Sequence, residues 1–444
     1  MATEQHFLGE FRLPVHPLRE QLYSELHARP FPVVQSPALV SHMAVLFGEQ
    51  GGKSEVSHIA RLCQRYALPP PVSDASALYL DFGDFHLRWE RHTEFSAYTF
   101  IRPSQSLPAF SEKAVDAAPR EWLEAIGGEV VTALHGVIDQ VSRPNKIDGD
   151  ELSEMLFDGE RAIGSYTMAG RALLCTSFRL HKGGFGRFYI ANYDLSPQRT
   201  GRLLQRVLEI ESYRVMALLS LPLARQISPR LALLEAEVTG ITARLAAKAR
   251  NPDEDQALLE SISAVAAEVE QYRSDTSYRF AASKAYASLV RQRLEFVEEE
   301  PVEHLQMISH FFARRFTPAM DTCEAVSNRL EELSQRLARA GELLRTQVDL
   351  AIEGQNQRLL SSMNRRGKLQ LRLQETVEGL SVVVISYHLV GLIKYILDAS
   401  KPLGLPINTS LFLAASVVPV VLGVWWLTRK IRKRINNLGN HQTP

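Results

Sequence analysis

The sequence predicts an α+β N-terminal cytosolic domain, then a long-helix all-α domain with a stalk, and a C-terminal two-helix transmembrane hairpin. Three observations predict this architecture. Residues 1–195 mix strand and helix patterns, whereas residues 196–376 have helical patterns almost throughout. Two apolar runs follow, at 377–397 and 407–427. Each run has the roughly 20 mainly apolar residues that a helix needs to cross a bilayer core.

Composition limits the classes of protein to which the chain can belong. Its 444 residues are enough for two or three domains. It has 50 basic residues (Lys and Arg) and 50 acidic residues, so no nucleic-acid partner is expected. The three cysteines, Cys63, Cys175 and Cys323, lack the paired spacing of a disulfide framework or a zinc site. They suit a reducing cytosol.

The α+β domain (1–195) is predicted from clusters of strands rather than from a regular alternation of strands and helices. Leu18, Leu22 and Leu26 recur at helical spacing and are followed by a proline, which predicts a first helix over 16–29. Apolar and polar residues alternate within 78–101 around a Gly-Asp pair, which predicts two or three antiparallel strands. The other predicted elements are a strand at 38–47, a helix at 54–66, a strand at 129–141 and two or three strands within 164–193.

The all-α domain and coiled-coil-like stalk (196–376) begin at a Ser-Pro pair, which is typical of an N-cap and first helical residue. About five helices are expected, with breaks at Pro222, Pro229, Pro252, Pro301 and Pro318. Thr317 and Pro318 are predicted to start the last helix, which continues into the first apolar run without a break signal. Its apolar stripe needs a partner along a length of about 120 Å, either the preceding helices or other copies of the chain, and we expect a homo-oligomer.

Basic residues flank the two apolar runs on the same side. They are Arg365, Arg366, Lys368, Arg372, Arg429, Lys430, Arg432, Lys433 and Arg434. The loop between the runs, 398–406, carries only one Lys and one Asp. Because basic residues near a span mark the cytoplasmic side, the body and the tail (428–444) are both predicted to be cytoplasmic. Two core helices of a soluble domain are the alternative, and Trp425 and Trp426 at an interfacial position argue against it.

Four residues could hold a divalent metal ion. His86, Glu90, His92 and Glu94 fall at even spacing, which places them on one face of an extended strand. Two imidazoles and two carboxylates suit such an ion. The alternative is a solvated outer face of a sheet, which Arg88 shares, and we favour this interpretation because the spacing is not diagnostic.

Other polar segments give weaker signals. Glu25, His27 and Arg29 could edge a site, or they are the polar end of a helix. The run 182–187 (KGGFGR) could cradle a phosphate, but it lacks the phosphate-loop pattern, and a hairpin turn is favoured. We predict no catalytic residue, since no nucleophile–base pair stands out, and we assign no cofactor-binding residue.

Three polar residues lie within the first apolar run. Glu378 and Lys394 are near its ends, where long side chains reach the headgroups. His388 is near its middle. There it either packs against the second span or belongs to an ion or proton path.

Six segments carry a resemblance to a known family. They are HPLR (16–19), YSELHARPF (23–31), DFGDF (81–85), SMNRR (362–366), QLRLQ (370–374) and TVEGLSV (376–382). Together they resemble a bacterial family of uncharacterised membrane-anchored proteins, domain of unknown function 3422. The resemblance covers essentially the whole chain and implies a protein of the bacterial inner membrane. It implies no activity, substrate or catalytic residue.

A looser similarity is architectural. The order of elements is similar to that of the CorA-type magnesium channels. It consists of a cytosolic α+β body, a long helix into a first span, a short outer loop and a second span. Those channels carry a Gly-Met-Asn tripeptide at the outer end of the first span, where this chain has ILDAS (396–400). Its Met363-Asn364 pair lies on the other side of the span.

Three hypotheses for function follow, from different classes. The first is a non-enzymatic, homo-oligomeric membrane protein whose cytosolic body senses, scaffolds or binds something. The second is a CorA-like channel or transporter for divalent cations, since two spans per subunit line a pore only in an assembly. The third is a membrane-tethered enzyme that uses the α+β domain.

Overall fold

The computed structural model describes residues 15–19, 22–23, 31–47, 51–104, 108–246, 252–400 and 409–439. Its contacts divide the chain into two compact units, residues 1–341 and 342–444. Most of the predicted first helix (16–29) lies outside the described residues.

An eight-stranded sheet forms the centre of the first unit. The strands are β1 (Ala38–Leu46), β2 (Ala77–Asp81), β3 (His86–Arg91), β4 (Phe95–Pro103), β5 (Glu129–Gln140), β6 (Ile163–Thr167), β7 (Ala172–Thr176) and β8 (Gly186–Asn192). Their order across the sheet is β2-β3-β4-β1-β5-β8-β7-β6. All neighbouring strands are antiparallel except β5 and β8. The predicted strand regions are therefore confirmed, and 78–101 and 164–193 form three strands each.

Helices cover both faces of the sheet. Between residues 51 and 195 the described helices are α1 (Gly51–Arg65), α2 (Arg120–Glu124) and α3 (Gly149–Phe157), and a 3₁₀ turn lies at Ala114–Ala117. The long helices are α4 (Pro197–Leu218), α5 (Ser220–Ala246), α6 (Pro252–Glu295) and α7 (Ile308–Ser400). Apolar residues of α4, α6 and the start of α7 share one core with one sheet face, and α1, α2 and α3 cover the other. The sheet is thus the middle layer of three.

The core does not divide at residue 195. Strands give way to helices there as predicted, with Ser196 and Pro197 at the start of α4. Leu203 and Leu204 of α4 lie in the same buried cluster as Ile138 of β5. Helix α4 thus covers one face of the sheet, and both belong to the compact unit that extends to residue 341.

The prediction that Pro318 starts a helix is wrong. Helix α7 begins at Ile308 and contains Pro318, and four helices rather than five span the described residues between 197 and 400. A proline inside a helix costs about 3 kcal/mol or more. Phe312 and Phe316, which are buried in the core just before it, stabilise this part of the helix.

The second unit contains the end of α7 and helix α8 (Thr409–Gly439). By length and composition, two helices of the described residues could cross a membrane: Ile308–Ala399 and Ser410–Ile431. In their most apolar windows only 6% and 0% of the residues are buried. The first predicted span lies within the first of these helices, and the second largely overlaps the other. Residues 401–408, most of the predicted outer loop, lie outside the described residues.

Gly201 offers a test of the packing on α4. An added Cβ there would lie 1.6 Å from the carbonyl oxygen of Pro32, whereas at Gly240 of α5 it would meet nothing within 4 Å. Alanine favours a helix by up to about 1 kcal/mol over glycine. At position 201 we expect the clash to dominate, with a net loss of about 1–3 kcal/mol in Gly201→Ala. Gly240→Ala is the matched control and should be neutral or stabilising. Thermal unfolding of both variants measures the difference, and equal shifts would contradict this packing.

Candidate functional site

A layer of buried polar side chains lies between the sheet and α4. His42 of β1 is its centre. Its Nδ1 is 2.8 Å from Oγ1 of Thr99 on β4, and its Nε2 is 2.9 Å from Oγ of Ser212 on α4. Successive strand residues point to opposite faces, so His42 lies on the same face as the buried Val40 and Ala44. Its two hydrogen bonds therefore join two strands and a helix.

Burial also determines the charge of His42. Burial, with smaller contributions from the neighbouring Arg88 and His92, lowers the pKa of the imidazole to about 3. The ring is therefore neutral near pH 7. A neutral imidazole donates from one nitrogen and accepts at the other, and a hydroxyl group can take either role. The two hydroxyl partners of His42 therefore satisfy the ring fully.

Arg88 and Glu90 of β3 form an ion pair in the same layer. Nη2 of Arg88 is 2.8 Å from Oε1 of Glu90, and the two residues are only 5% and 9% exposed. Leu87 and Trp89 alternate with them and are buried in the core on the opposite face. The favoured interpretation of a solvated outer face is therefore wrong, because α4 covers this side. Charges at this depth have to be paired, since an isolated buried charge costs several kcal/mol.

Two further ion pairs connect this region to α6. Glu94, between β3 and β4, pairs with Arg279 of α6 at 2.8 Å. Glu209 of α4 pairs with Arg293 of α6. All four side chains are largely buried. Charged pairs therefore join the end of the sheet, α4 and α6.

The four predicted metal ligands have separate partners. His86, at the start of β3, stacks on a tyrosine of β2 at 5.5 Å. His92 stacks on a phenylalanine of β4 at 4.3 Å. Glu90 and Glu94 belong to the two different ion pairs described above. Across the described ranges, no group of three or more His, Cys, Asp or Glu side chains is placed to hold a metal ion. The metal hypothesis thus gains no support from this arrangement.

The space inside the polar layer is too small for a substrate. The cavity bordered by His42, Arg88, Glu90 and His92 measures about 20 Å³. A cavity of about 30 Å³ or less holds at most a water molecule. Three of the polar side chains around the cavity, those of His42, Arg88 and Glu90, bond to one another or to their neighbours. We conclude that this layer stabilises the contact between sheet and helix.

A second row of polar side chains has the order of a catalytic triad. Nε2 of His181 is 3.0 Å from Oγ of Ser177, and its Nδ1 is 3.3 Å from Oδ2 of Asp158. Nucleophile, base and orienting acid occur in this order in serine hydrolases. This row was not predicted from the sequence, where its only local signal is a Ser-x-x-x-His spacing, since Asp158 is distant in sequence.

The surroundings of this row favour a structural role. Arg187 donates a hydrogen bond to Asp158 at 2.9 Å, and this bond is the main reason why the pKa of the carboxyl group is lowered. A cleft of about 370 Å³ runs along the same loop, but Phe178 and Leu180 line it rather than Ser177 or the histidine. The row therefore braces the loop between β7 and β8.

The tip of that loop is a hairpin turn, as favoured from the sequence. Gly183 and Gly184 have φ angles of +93° and +79°. The N–H of His181 donates to the carbonyl oxygen of Phe185 across the turn at 2.8 Å. Strands β7 and β8 pair antiparallel on either side of it. The glycines thus serve the turn geometry that L-residues rarely adopt.

The residues predicted around the spans lie on exposed helix surface wherever they are described. Arg365, Arg366, Lys368, Arg372, His388 and Lys394 are all exposed. Arg429 stacks on Trp425 at 5.0 Å, and Lys430 stacks on Trp426 at 4.6 Å. The side chains outside the described set are those of Glu25, His27, Arg29, Glu378, Arg432, Lys433 and Arg434.

The buried ion pair on β3 can be tested by removing one partner. Arg88→Ala leaves the buried carboxylate of Glu90 without its guanidinium partner, and we expect a loss of about 3–5 kcal/mol in the free energy of unfolding. Arg120→Ala is the control, because it removes an exposed pair with Glu124 and should have no measurable effect. Denaturant titration of both variants provides the comparison. A similarly small effect for both would contradict the buried position of Arg88.

Comparison with known proteins agrees with the resemblance drawn from the sequence. The family model described as "Protein of unknown function (DUF3422)" matches residues 14–435. No curated protein and no solved structure matches the chain. The similarity to CorA-type channels is not shown by these comparisons. Since the match covers nearly the full length, the chain belongs to the DUF3422 family of proteins of unknown function.

Proposed function

We propose that this protein is a homo-oligomeric protein of the bacterial inner membrane, with a cytosolic body that binds or senses rather than catalyses. The observation that carries the proposal is the uncovered apolar surface of the two C-terminal helices. Val383, Leu392 and Leu422 are more than half exposed there. In the body, by contrast, side chains of the same types form two extensive cores.

Energetics favour lipid as the cover for these helices. Burying one Val or Leu side chain contributes about 1.5–3 kcal/mol, so a run of about 20 in water would be strongly unfavourable. The helix Ser410–Ile431 has 22 residues, which correspond to about 33 Å at helical rise. A bilayer core is about 30 Å thick. Length and composition both match a membrane span.

The basic flanks favour one orientation. Arg365 to Arg372 precede the first span, and Arg429 and Lys430 follow the second. Basic residues concentrate on the cytoplasmic side of a span. We therefore assign the body and the C-terminal end to the cytoplasm and residues 398–406 to the outside. The three cysteines, all free and buried, are compatible with a reducing compartment.

The homo-oligomer is proposed from the stalk, residues 342–376. Val348, Ile352 and Leu359 recur at steps of four and seven residues, which places them on one face of α7. Ile352 and Leu359 are 51% and 61% exposed. Because the two spans would anchor every copy in the same membrane, the stalks of neighbouring copies would run side by side. The apolar stripe of one stalk is then well placed to pack on the stripe of another.

A binding role for the body is favoured over catalysis by its polar groups. The polar layer under α4 and the row at Ser177 are internally hydrogen-bonded, and each stabilises the fold around it. Neither combines reactive groups with a substrate-sized space.

Membrane insertion can be tested with an arginine in the first span. An arginine near the centre of a span costs about 2.5–3.5 kcal/mol on insertion scales. We expect Leu389→Arg to move a large part of the protein from the membrane pellet to the alkali-extractable fraction. Leu360→Arg, in the stalk, is the matched control and should stay in the pellet.

The sidedness is read from reporter fusions in the same experiment. A reporter that is active only outside the cytoplasm should be silent at the C-terminus and active within 398–406. If the unaltered protein is soluble without detergent, or if the C-terminal reporter is active, the proposal fails.

The oligomer can be tested through the stalk stripe. We expect the unaltered protein to have the mass of a defined oligomer in detergent, and Ile352→Gln with Leu359→Gln to lower that mass. The matched control is Leu343→Gln with Leu350→Gln, because these two leucines are also more than half exposed but lie on the opposite face. A monomer at all concentrations, or an equal effect of both double variants, would contradict packing through this stripe.

A further inference from the structure

Cations that have no ion-pair partner among the described residues lie next to the apolar helices. Arg365, Arg366, Lys368 and Arg372 are exposed, and none of them forms an ion pair with another described residue. The segment 355–374 has five basic residues and no acidic residue. Elsewhere on the long helices several cations have carboxylate partners, as in the pairs Arg230–Glu268 and Lys284–Glu324. The charge of this segment is therefore available to a partner outside the chain.

Helix geometry places part of this charge at the level of lipid phosphates. Arg372 lies five residues before the first span (377–397), or about 8 Å along a helix, and Lys368 lies about 14 Å from it. The headgroup layer extends about 5–8 Å beyond the hydrocarbon core on each side. Arg372 therefore reaches the phosphates. Lys368 remains within about one Debye length of them, 8–10 Å at physiological salt.

The second helix places cations at the same level independently. Trp425 and Trp426 are about half exposed, and each stacks on a cation one turn further along, Arg429 and Lys430. Tryptophan prefers the membrane interface. With the two rings at that depth, the two cations lie beside the headgroups.

We propose that these two basic flanks bind the headgroups of anionic phospholipids, so that the protein selects anionic over zwitterionic lipid around its spans. This proposal rests on the membrane anchoring proposed above and goes beyond it. Orientation requires only an excess of cations on one side. Selection follows because the phosphate of an anionic lipid has no cation of its own headgroup to neutralise it, so an arginine or lysine gains more there.

The tryptophans of the chain allow a direct measurement. The chain has four tryptophans. Trp89 and Trp122 are buried in the first unit, and lipid cannot reach them. Trp425 and Trp426 are exposed, so lipids with brominated acyl chains should quench these two. The full chain is reconstituted in phosphatidylcholine with equal mole fractions of either brominated phosphatidylglycerol or brominated phosphatidylcholine.

We expect quenching by brominated phosphatidylglycerol to indicate an association with the protein at least about fivefold stronger than that of brominated phosphatidylcholine. One cation near the membrane surface provides about this ratio of association constants. Added salt should reduce the ratio towards one by screening. Inorganic phosphate at the same ionic strength as the salt should lower it no further. A specific loss with inorganic phosphate would assign the site to free phosphate and overturn the proposal.

A double variant tests the cations themselves. Lys368→Gln with Arg372→Gln should lower the ratio markedly. The matched control is Arg314→Gln with Arg315→Gln, which removes two exposed arginines from the start of the same helix and should leave the ratio unchanged. Equal changes in both double variants would overturn the assignment to the flank.

The failures of the two proposals are distinguishable. If both brominated lipids quench equally, the helices are in the bilayer but the flanks do not select anionic lipid, and only the present proposal is overturned. If neither lipid quenches, the helices are not in the bilayer and both proposals are overturned.

Discussion

Burial of the central sheet on both faces is the constraint on which the first unit depends. A sheet with one solvated face can place polar residues there at little cost, but this sheet has helices on either side. Every polar side chain on β1, β3 or β4 that points towards α4 must therefore find a partner inside the protein. His42 finds two hydroxyl groups, and Arg88 finds Glu90.

These polar contacts also select how the helices lie on the sheet. The hydrophobic effect is non-directional, whereas a hydrogen bond weakens steeply when its geometry changes. The bond between His42 and Ser212 fixes α4 against β1. The pairs Glu94–Arg279 and Glu209–Arg293 then connect α6 to the sheet and to α4. These polar residues of the body therefore stabilise the positions of α4 and α6 on the sheet.

The second unit presents the opposite situation. Its apolar side chains are exposed and its cations have no acidic partners among the described residues, so its surface is complementary to something outside the chain. We propose lipid as the partner of the apolar runs, anionic headgroups as the partner of the flanking cations, and a second copy as the partner of the stalk stripe. The functional surfaces that we propose are therefore groups left without partners in the described residues, and the body contributes a stable structure.

The sequence by itself determined the types of the elements and the match of the last helices to a bilayer. Alternation and helical spacing are local properties, so the strands of 78–101 and the change to helices at residue 196 could be predicted. The same holds for the two apolar runs, because length and composition suffice to recognise them. Only the tertiary structure decided which face of β3 is covered. Tertiary contacts also keep α7 helical across Pro318 and place Asp158 beside His181. Each of these depends on contacts between residues far apart in the chain, which no local pattern encodes.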